Sequence, residues 1–251
     1  WLDHLQHACQ DITEHNFYFA DYNKLIDAVT LYDYQFDVVI VGKGSIDAIN
    51  FLKKLNKKKT VLWYPDDHFR ELDLYLSLVN ISDQIFMTCN SNYVETKKSI
   101  AWLAAGCDPV WHNMQSKHWD RPIGFGFIGS NHCYEREDFI IQMCKKTSLL
   151  AYGNFWDGII EDNHFLGNSM FRAEYGNTLN RTSILLNQHY APYGLNFRTF
   201  EAMACGCVIL QDRTTGIDLF DGVDFEIPIY EYNNIDSAVS VYKSLISKDT
   251  D

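Results

Sequence analysis

The residues best suited to chemistry in this chain are Arg198 and Glu201. They stand three apart in the run Tyr193-Gly194-Leu195-Asn196-Phe197-Arg198-Thr199-Phe200-Glu201-Ala202-Met203-Ala204-Cys205-Gly206. That spacing puts both on one face of a helix, near its start. The first N–H groups of a helix are unpaired and carry partial positive charge, which suits a phosphate. Arg198 adds a planar fork of donors for the same oxygens. Glu201 only accepts hydrogen bonds at neutral pH, as a pair of sugar hydroxyls requires. Together they describe a nucleotide-sugar site, with a diphosphate on Arg198 and the helix end and a ribose on Glu201. An i,i+3 surface ion pair has the same spacing, and the run alone leaves both readings open.

The elements that must position this pair are legible around it. Gly194 is free to take a positive φ and lets backbone approach a ligand closely. Asn196 is a natural N-cap, and Gly206 a natural C′ stop. The apolar stretch 207–210 then reads as a buried strand. Upstream, 182–187 reads as another strand, and Asn187 with the loop to Tyr193 would touch the same ligand by position.

Strand and helix patterns alternate along the whole chain, which predicts a doubly wound α/β fold. Strands are expected at 16–20, 36–41, 60–64, 84–88, 109–114, 123–128, 148–152, 182–187, 207–210 and within 222–229. Helices are expected at 1–12, 21–29, 46–55, 71–79, 90–101, 134–145, 169–179, 197–205 and 235–246. The β-branched run 36–41 has the look of a central parallel strand. The basic run Lys53, Lys54, Lys57, Lys58 and Lys59 reads as a solvated helix end and loop. A linker at 116–122 splits the chain into an N-terminal Rossmann-like domain, 1–118, and a second domain, 119–251. The first half opens on a helix rather than a strand with a Gly-rich loop, so its first strand is expected to be missing or supplied elsewhere.

Composition narrows the function classes. The chain has 251 residues, 47% hydrophobic and 22% charged, an ordinary globular balance. Its net charge of −12 argues against a large basic footprint for nucleic acid or anionic membrane. The seven cysteines form no Cys-x-x-Cys pair. They read as reduced thiols in a reducing compartment, hence cytoplasmic, rather than a disulfide framework or zinc site. No apolar run reaches the roughly 18 residues of a membrane span, and no stretch reads as a signal peptide.

The run 194–206 resembles the signature of two-domain (GT-B) glycosyltransferases, most of all the spore-maturation CgeB-like branch. That branch carries Gly-x-Asn-x-Arg-x-Phe-Glu-Ala-Met-Ala-x-Gly, matched here by Gly194, Asn196, Arg198, Phe200, Glu201, Ala202, Met203, Ala204 and Gly206. The likeness is strong over about the last 130 residues and weak over the rest. It implies two Rossmann-like domains facing across a cleft, the C-terminal one binding the donor. It implies a hexosyl- or pentosyltransferase in glycan biosynthesis that moves a sugar from a UDP- or GDP-linked donor to a hydroxyl of a glycan or small molecule. In the wider superfamily Glu201 would be the second member of a Glu-x7-Glu pair and hold the donor ribose. Tyr193 stands in place of the first Glu, which leaves the stereochemical outcome open. A noncatalytic nucleotide-sugar or glycan-binding module on the same fold is the alternative.

Loops after strands supply the remaining candidates, because ligands of open α/β sheets sit beyond the strands' carboxyl ends. Phe127-Ile128-Gly129-Ser130 followed by Arg136 is similar to a CgeB-like strand end. There the N–H groups of Gly129 and Ser130 would cradle a phosphate and Arg136 would add charge, unless Arg136 pairs with Glu135, Glu137 or Asp138. Gly153 closes the next strand, and Trp156 beyond it would stack on the base or a sugar, or plug the core. Asp66 and Asp67 follow the strand 60–64; either would be the base of an inverting enzyme, or cap the next helix. The loop histidines His112, His118, His132 and His189 read as surface residues. No Asp-x-Asp metal motif occurs ahead of the last three residues, Asp249-Thr250-Asp251. No metal or cofactor is expected, since Arg and a helix dipole replace the cation on the leaving diphosphate in the two-domain type.

Overall fold

The expected alternation builds two parallel sheets in the computed structural model. It describes residues 9, 12, 14–18, 30–42, 46–64, 72–88, 99–115, 121–168, 170–189, 194–214, 220–224 and 226–248. The chain divides into two units, Trp1–Ala105 and Gly106–Asp251. The division falls ahead of the expected linker, for a physical reason. Segment 108–113 folds as a turn, not a strand, with His112 N–H donating to the Asp108 carbonyl at 2.8 Å. Asn180 of the second unit donates to the Asn113 carbonyl at 2.9 Å and accepts from Gln115 N–H at 2.8 Å, which binds this segment to the second unit.

The first unit holds β1 (Gln35–Gly42), α1 (Ile46–Lys54), β2 (Asn56–Tyr64), α2 (Leu72–Ile81), β3 (Gln84–Met87) and β4 (Ile100–Trp102). The strands are all parallel, in the order β1-β2-β3-β4. Leu62, Tyr64, Tyr75, Leu78, Ile85 and Met87 form the heart of its core. Four expectations change. Among the described residues β1 lies at the sheet's edge, and Ile40 on its outer face is 64% exposed. Lys57, Lys58 and Lys59 belong to β2, where Lys58 pairs with Asp37 of β1 at 2.6 Å. Residues 100–102 are strand rather than the end of a helix. Residues 16–18 are not strand either, while the helices expected at 1–12 and 21–29 lie almost wholly outside the described residues.

The second unit carries β5 (Ile123–Ile128), α3 (Tyr134–Lys146), β6 (Leu150–Tyr152), β7 (Phe165–Gly167), α4 (Arg172–Asn180), β8 (Thr182–Asn187), α5 (Phe197–Ala204), β9 (Val208–Asp212), β10 (Ile229–Tyr232) and α6 (Ile235–Lys248). Its sheet order is β10-β9-β8-β5-β6-β7, wholly parallel. Numbered from β5 and read from the β7 edge, this is the doubly wound order 3-2-1-4-5-6, with β5 and β8 at its centre. Ligands of such sheets bind at the central switch point. Short β7 is not among the expected strands, and β10 lies beyond most of the span 222–229. Every residue of β8 is buried, as expected for a strand covered on both faces. No helix among the described residues is long and apolar enough to cross a membrane.

One buried cation ties the base of this unit together. Arg121, just ahead of β5, donates to the Thr182 carbonyl at 2.8 Å and to the Cys205 carbonyl at 2.6 Å. The Cys205 carbonyl ends α5, so the guanidinium meets the negative end of that helix. Replacing it with Met keeps the bulk but takes a buried charged donor from each of those carbonyls. Arg121→Met should lose about 2–4 kcal/mol, read as a lower urea midpoint at unchanged m.

Burial pushes the thiols of Cys205 and Cys207 up to about 11 and about 12, from an ordinary 9.0. The folded chain therefore holds these protons more tightly than the unfolded one. The stabilisation is complete below the unfolded value and lost as pH rises toward the folded one. Unfolding midpoints should be level from pH 7 to 8.5 and fall above about pH 9. Cys207→Ala should flatten that fall by about 1.4 kcal/mol per pH unit.

Candidate functional site

Helix α5 starts at the residue that capping rules select. Asn196 has extended backbone, and its side chain accepts from Thr199 N–H at 3.1 Å. Gly194 takes φ 128°, a left-handed value that favours glycine. Its N–H donates to the Thr214 hydroxyl at 3.2 Å, so the turn is pinned to the segment after β9. At the far end Gly206 has φ 76°, and Cys207 N–H donates to the Ala202 carbonyl at 2.9 Å, a glycine-terminated helix stop.

The side chains expected to carry the chemistry stand on this helix, and each is held by a group the sequence does not single out for that task. Arg198 donates to Asn187 Oδ1 at 3.1 Å, and its guanidinium carbon lies 5.9 Å from the centre of the Phe127 ring. A Cβ on Gly129 would come within 3.2 Å of Arg198 Nη2, so the bare glycine leaves the room the guanidinium occupies. Glu201 Oε2 accepts from the Tyr175 hydroxyl of α4 at 2.9 Å. Burial first, and the Glu201 charge second, hold the Tyr175 hydroxyl well above the usual phenol range, against a smaller opposing pull from Arg198. Arg198 and Glu201 thus take hydrogen-bond partners from different elements, β8 for the one and α4 for the other.

Asn187 is the hub. It is wholly buried at the end of β8. Its Oδ1 accepts from Arg198 and, at 3.1 Å, from Asn196 Nδ2. Its Nδ2 donates to Asn196 Oδ1 at 3.2 Å and to Thr199 Oγ1 at 2.9 Å. All four hydrogen-bonding positions of the amide are used internally, so Asn187 shapes the site and does not contact a ligand.

Several other expectations are corrected. The Gly129 N–H donates to the Tyr152 carbonyl at 2.9 Å and is not free for a phosphate. The Ser130 carbonyl accepts from Arg136 Nη1 at 3.1 Å, a bond that does not involve the N–H expected to meet a phosphate. Arg136 is buried rather than paired on the surface. Its other Nη donates to the Gln188 carbonyl at 3.2 Å, so it clamps the loops after β5 and β8 together. Gly153, at φ 148°, is a packing glycine: a Cβ there would lie 2.1 Å from the Gly129 carbonyl oxygen. Trp156 is 0% exposed, stands edge-on to Phe127 at 5.9 Å and donates to the Gly129 carbonyl at 2.7 Å. It plugs the core and presents no face to a base or sugar. Its neighbour Phe155 is the exposed aromatic of that turn. Asp66, Asp67, His68, His118 and Tyr193 lie outside the described residues.

The structure also brings in residues that local sequence patterns pass over. His189 is buried and not a surface residue; its Nδ1 lies 2.6 Å from Asp212 Oδ1, and Asp212 also accepts the His189 N–H at 2.9 Å. His112 is buried too, edge-on to the Tyr175 ring with centroids 5.6 Å apart. The pairings of Tyr175 and Asp212 join segments 26 and 23 residues apart, and no local spacing signals them. The polar Asp212 closing an apolar strand is the one available hint.

The fold, α/β with parallel sheets, is that of the GT-B glycosyltransferases. Residues 136–244 match the family model described as glycosyl transferase-like. An α-glucosyltransferase solved with UDP-glucose and DNA containing an abasic site superposes with a TM-score of 0.61 at 16% identity, over 91% of this chain and 75% of that one. Anabaena Alr3699/HepE, solved with UDP and glucose, gives 0.63 at 10% identity over 91% and 72%. Sucrose-phosphate synthase from Thermosynechococcus elongatus gives 0.61 at 10% over 90% and 68%. No curated protein matches the sequence.

If Asn187 is the hub, its removal must reach both Arg198 and the helix cap. Asn187→Ala should cost about 2–4 kcal/mol in chemical unfolding, because it leaves several buried partners unsatisfied. A loss below about 0.5 kcal/mol would show the amide network to be dispensable.

Proposed function

We propose that this protein is a metal-independent glycosyltransferase of the CgeB-like branch. In this reading it moves a hexosyl or pentosyl unit from a nucleoside-diphosphate sugar to a hydroxyl of a glycan or small molecule in the cytoplasm. One observation carries the reading. A single short helix, capped beside the central strands of a doubly wound sheet, presents Arg198 over Gly129 and Glu201 toward α4.

The N-terminus of α5 and Arg198 would take the diphosphate. As the glycosidic bond breaks, negative charge grows on the leaving oxygen. A fixed cation and helix dipole stabilise that charge without a metal ion. Glu201 would hold the ribose. Asp66 or Asp67, which follow β2 in sequence, would accept the acceptor's proton if the reaction inverts. UDP-sugars are the first donors to try, since two of the similar structures hold UDP with glucose or UDP-glucose; GDP-sugars come second.

The test is a thermal-shift series with UDP, GDP, UDP-glucose and GDP-mannose in EDTA, followed by an assay of nucleotide release on adding acceptors. A ligand at 100 times its Kd should stabilise the wild type by about 2.7 kcal/mol. Arg198→Ala should weaken diphosphate binding about 10- to 100-fold, the loss of one charged hydrogen-bonding group. Binding that depends on added metal, or that ignores both Arg198→Ala and Glu201→Ala, would overturn the site. Binding without turnover on any acceptor would leave a nucleotide-sugar-binding module.

A further inference from the structure

The Glu201 carboxylate is steered from the neighbouring helix. Tyr175 stands on α4, and its hydroxyl is 2.9 Å from Glu201 Oε2. We propose that Tyr175 is a positioning residue for ribose recognition: its hydroxyl fixes the plane of the Glu201 carboxylate so that the carboxylate accepts the ribose 2′ and 3′ hydroxyls together. The inference rests on the nucleoside-diphosphate reading above and adds to it a residue outside the signature run.

Three observations support it. First, the bond has one direction. Burial and the nearby Glu201 charge keep the proton on Tyr175, so the phenol donates and the carboxylate stays an acceptor. A carboxylate offers about four lone-pair directions, and the bond from Tyr175 takes one of them. Second, the ring is held. His112 meets it edge-on at 83°, and His112 Nδ1 accepts from Asp108 N–H at 3.2 Å, which fixes the imidazole in turn. Third, α4 cannot slide. Gly176, next to Tyr175, packs so closely on the 108–113 turn that a Cβ would lie 2.0 Å from the Trp111 carbonyl oxygen. The turn sets the helix, the helix sets the phenol, and the phenol sets the carboxylate.

A generic structural role for Tyr175 would alter stability without altering which hydroxyls the ligand needs. The experiment therefore reads a ratio. Calorimetric Kd values are measured for UDP and 2′,3′-dideoxy-UDP, or for the GDP pair if only GDP binds, on wild type, Tyr175→Phe and Glu201→Gln. The wild type should prefer the ribonucleotide at least about tenfold, the worth of one charge-assisted hydrogen bond. Tyr175→Phe keeps the ring against His112 and loses only the hydroxyl. It should bring the preference to about threefold or less, near that of Glu201→Gln, with dideoxynucleotide affinity unchanged. A wild-type preference retained in Tyr175→Phe overturns the role of Tyr175 and leaves the proposed function standing. A wild type that binds neither nucleotide, or binds both analogues equally, overturns the ribose assignment itself. Should Tyr175→Phe fail to fold, His112→Leu, which keeps the hydroxyl and loosens the ring, should lower the preference; an unchanged ratio there overturns the inference.

Discussion

A buried amide has two donors and two acceptor positions that water can no longer reach, and Asn187 meets that demand entirely from its own neighbourhood. The consequence is architectural. By bonding Asn196, Thr199 and Arg198 at once, it fixes the cap of α5, the first turn and the Arg198 guanidinium to the end of β8. The helix N-terminus is thus aimed by the sheet and does not depend on its own loop. Positioning of this kind matters where charge develops during a reaction, because a dipole already in place needs no reorganisation.

Around that hub, close approach is managed by residues without side chains. Gly129 leaves room for Arg198, and Gly153 lets its strand end press on the Gly129 carbonyl. That carbonyl also accepts the Trp156 indole, so the crossing of the β5 and β6 ends is sealed by a core aromatic. Two buried arginines act at opposite ends of the sheet with the same logic. Arg136 collects carbonyls from the loops after β5 and β8, and Arg121 collects those at the start of β8 and the end of α5 on the other side. Each guanidinium supplies donors to main-chain oxygens that burial would otherwise strand. Both are structural cations, while Arg198 stands on the first turn of the capped helix.

The site's acceptor side follows a different rule. A carboxylate on a helix has several rotamers, and choosing one costs entropy. A neighbouring phenol that keeps its proton removes that freedom before any ligand arrives. The packing of α4 on the 108–113 turn, with no room for a Cβ at Gly176, gives the phenol its own fixed place.

Much of the fold and part of the site are legible in the sequence, and the division has a physical cause. The capped helix at 197–204, its glycine stop, the strands 123–128 and 182–187 and the doubly wound plan follow from local rules: periodicity, capping and glycine conformation act over a few residues. The placement of Arg198 and Glu201 on one short helix is legible for the same reason. What a side chain does after it arrives is not. Gly129 and Gly153 read as ligand contacts because strand-end glycines can be either, and only the Cβ clearance distinguishes the two. Trp156 reads as a ligand stacker or a core plug, and Arg136 as a phosphate contact or a surface pair, because burial depends on what the other strands bring. The segment 109–114 reads as a strand of the first half, and the hold of the 108–113 turn on α4 places it with the second. Tyr175 and Asp212 meet their partners across more than twenty residues. The sequence by itself determined which groups this protein carries whose chemistry suits a phosphate and a diol; only the tertiary structure decided which of them are spent on holding the fold, because hydrogen-bond partners are assigned by packing and not by spacing along the chain.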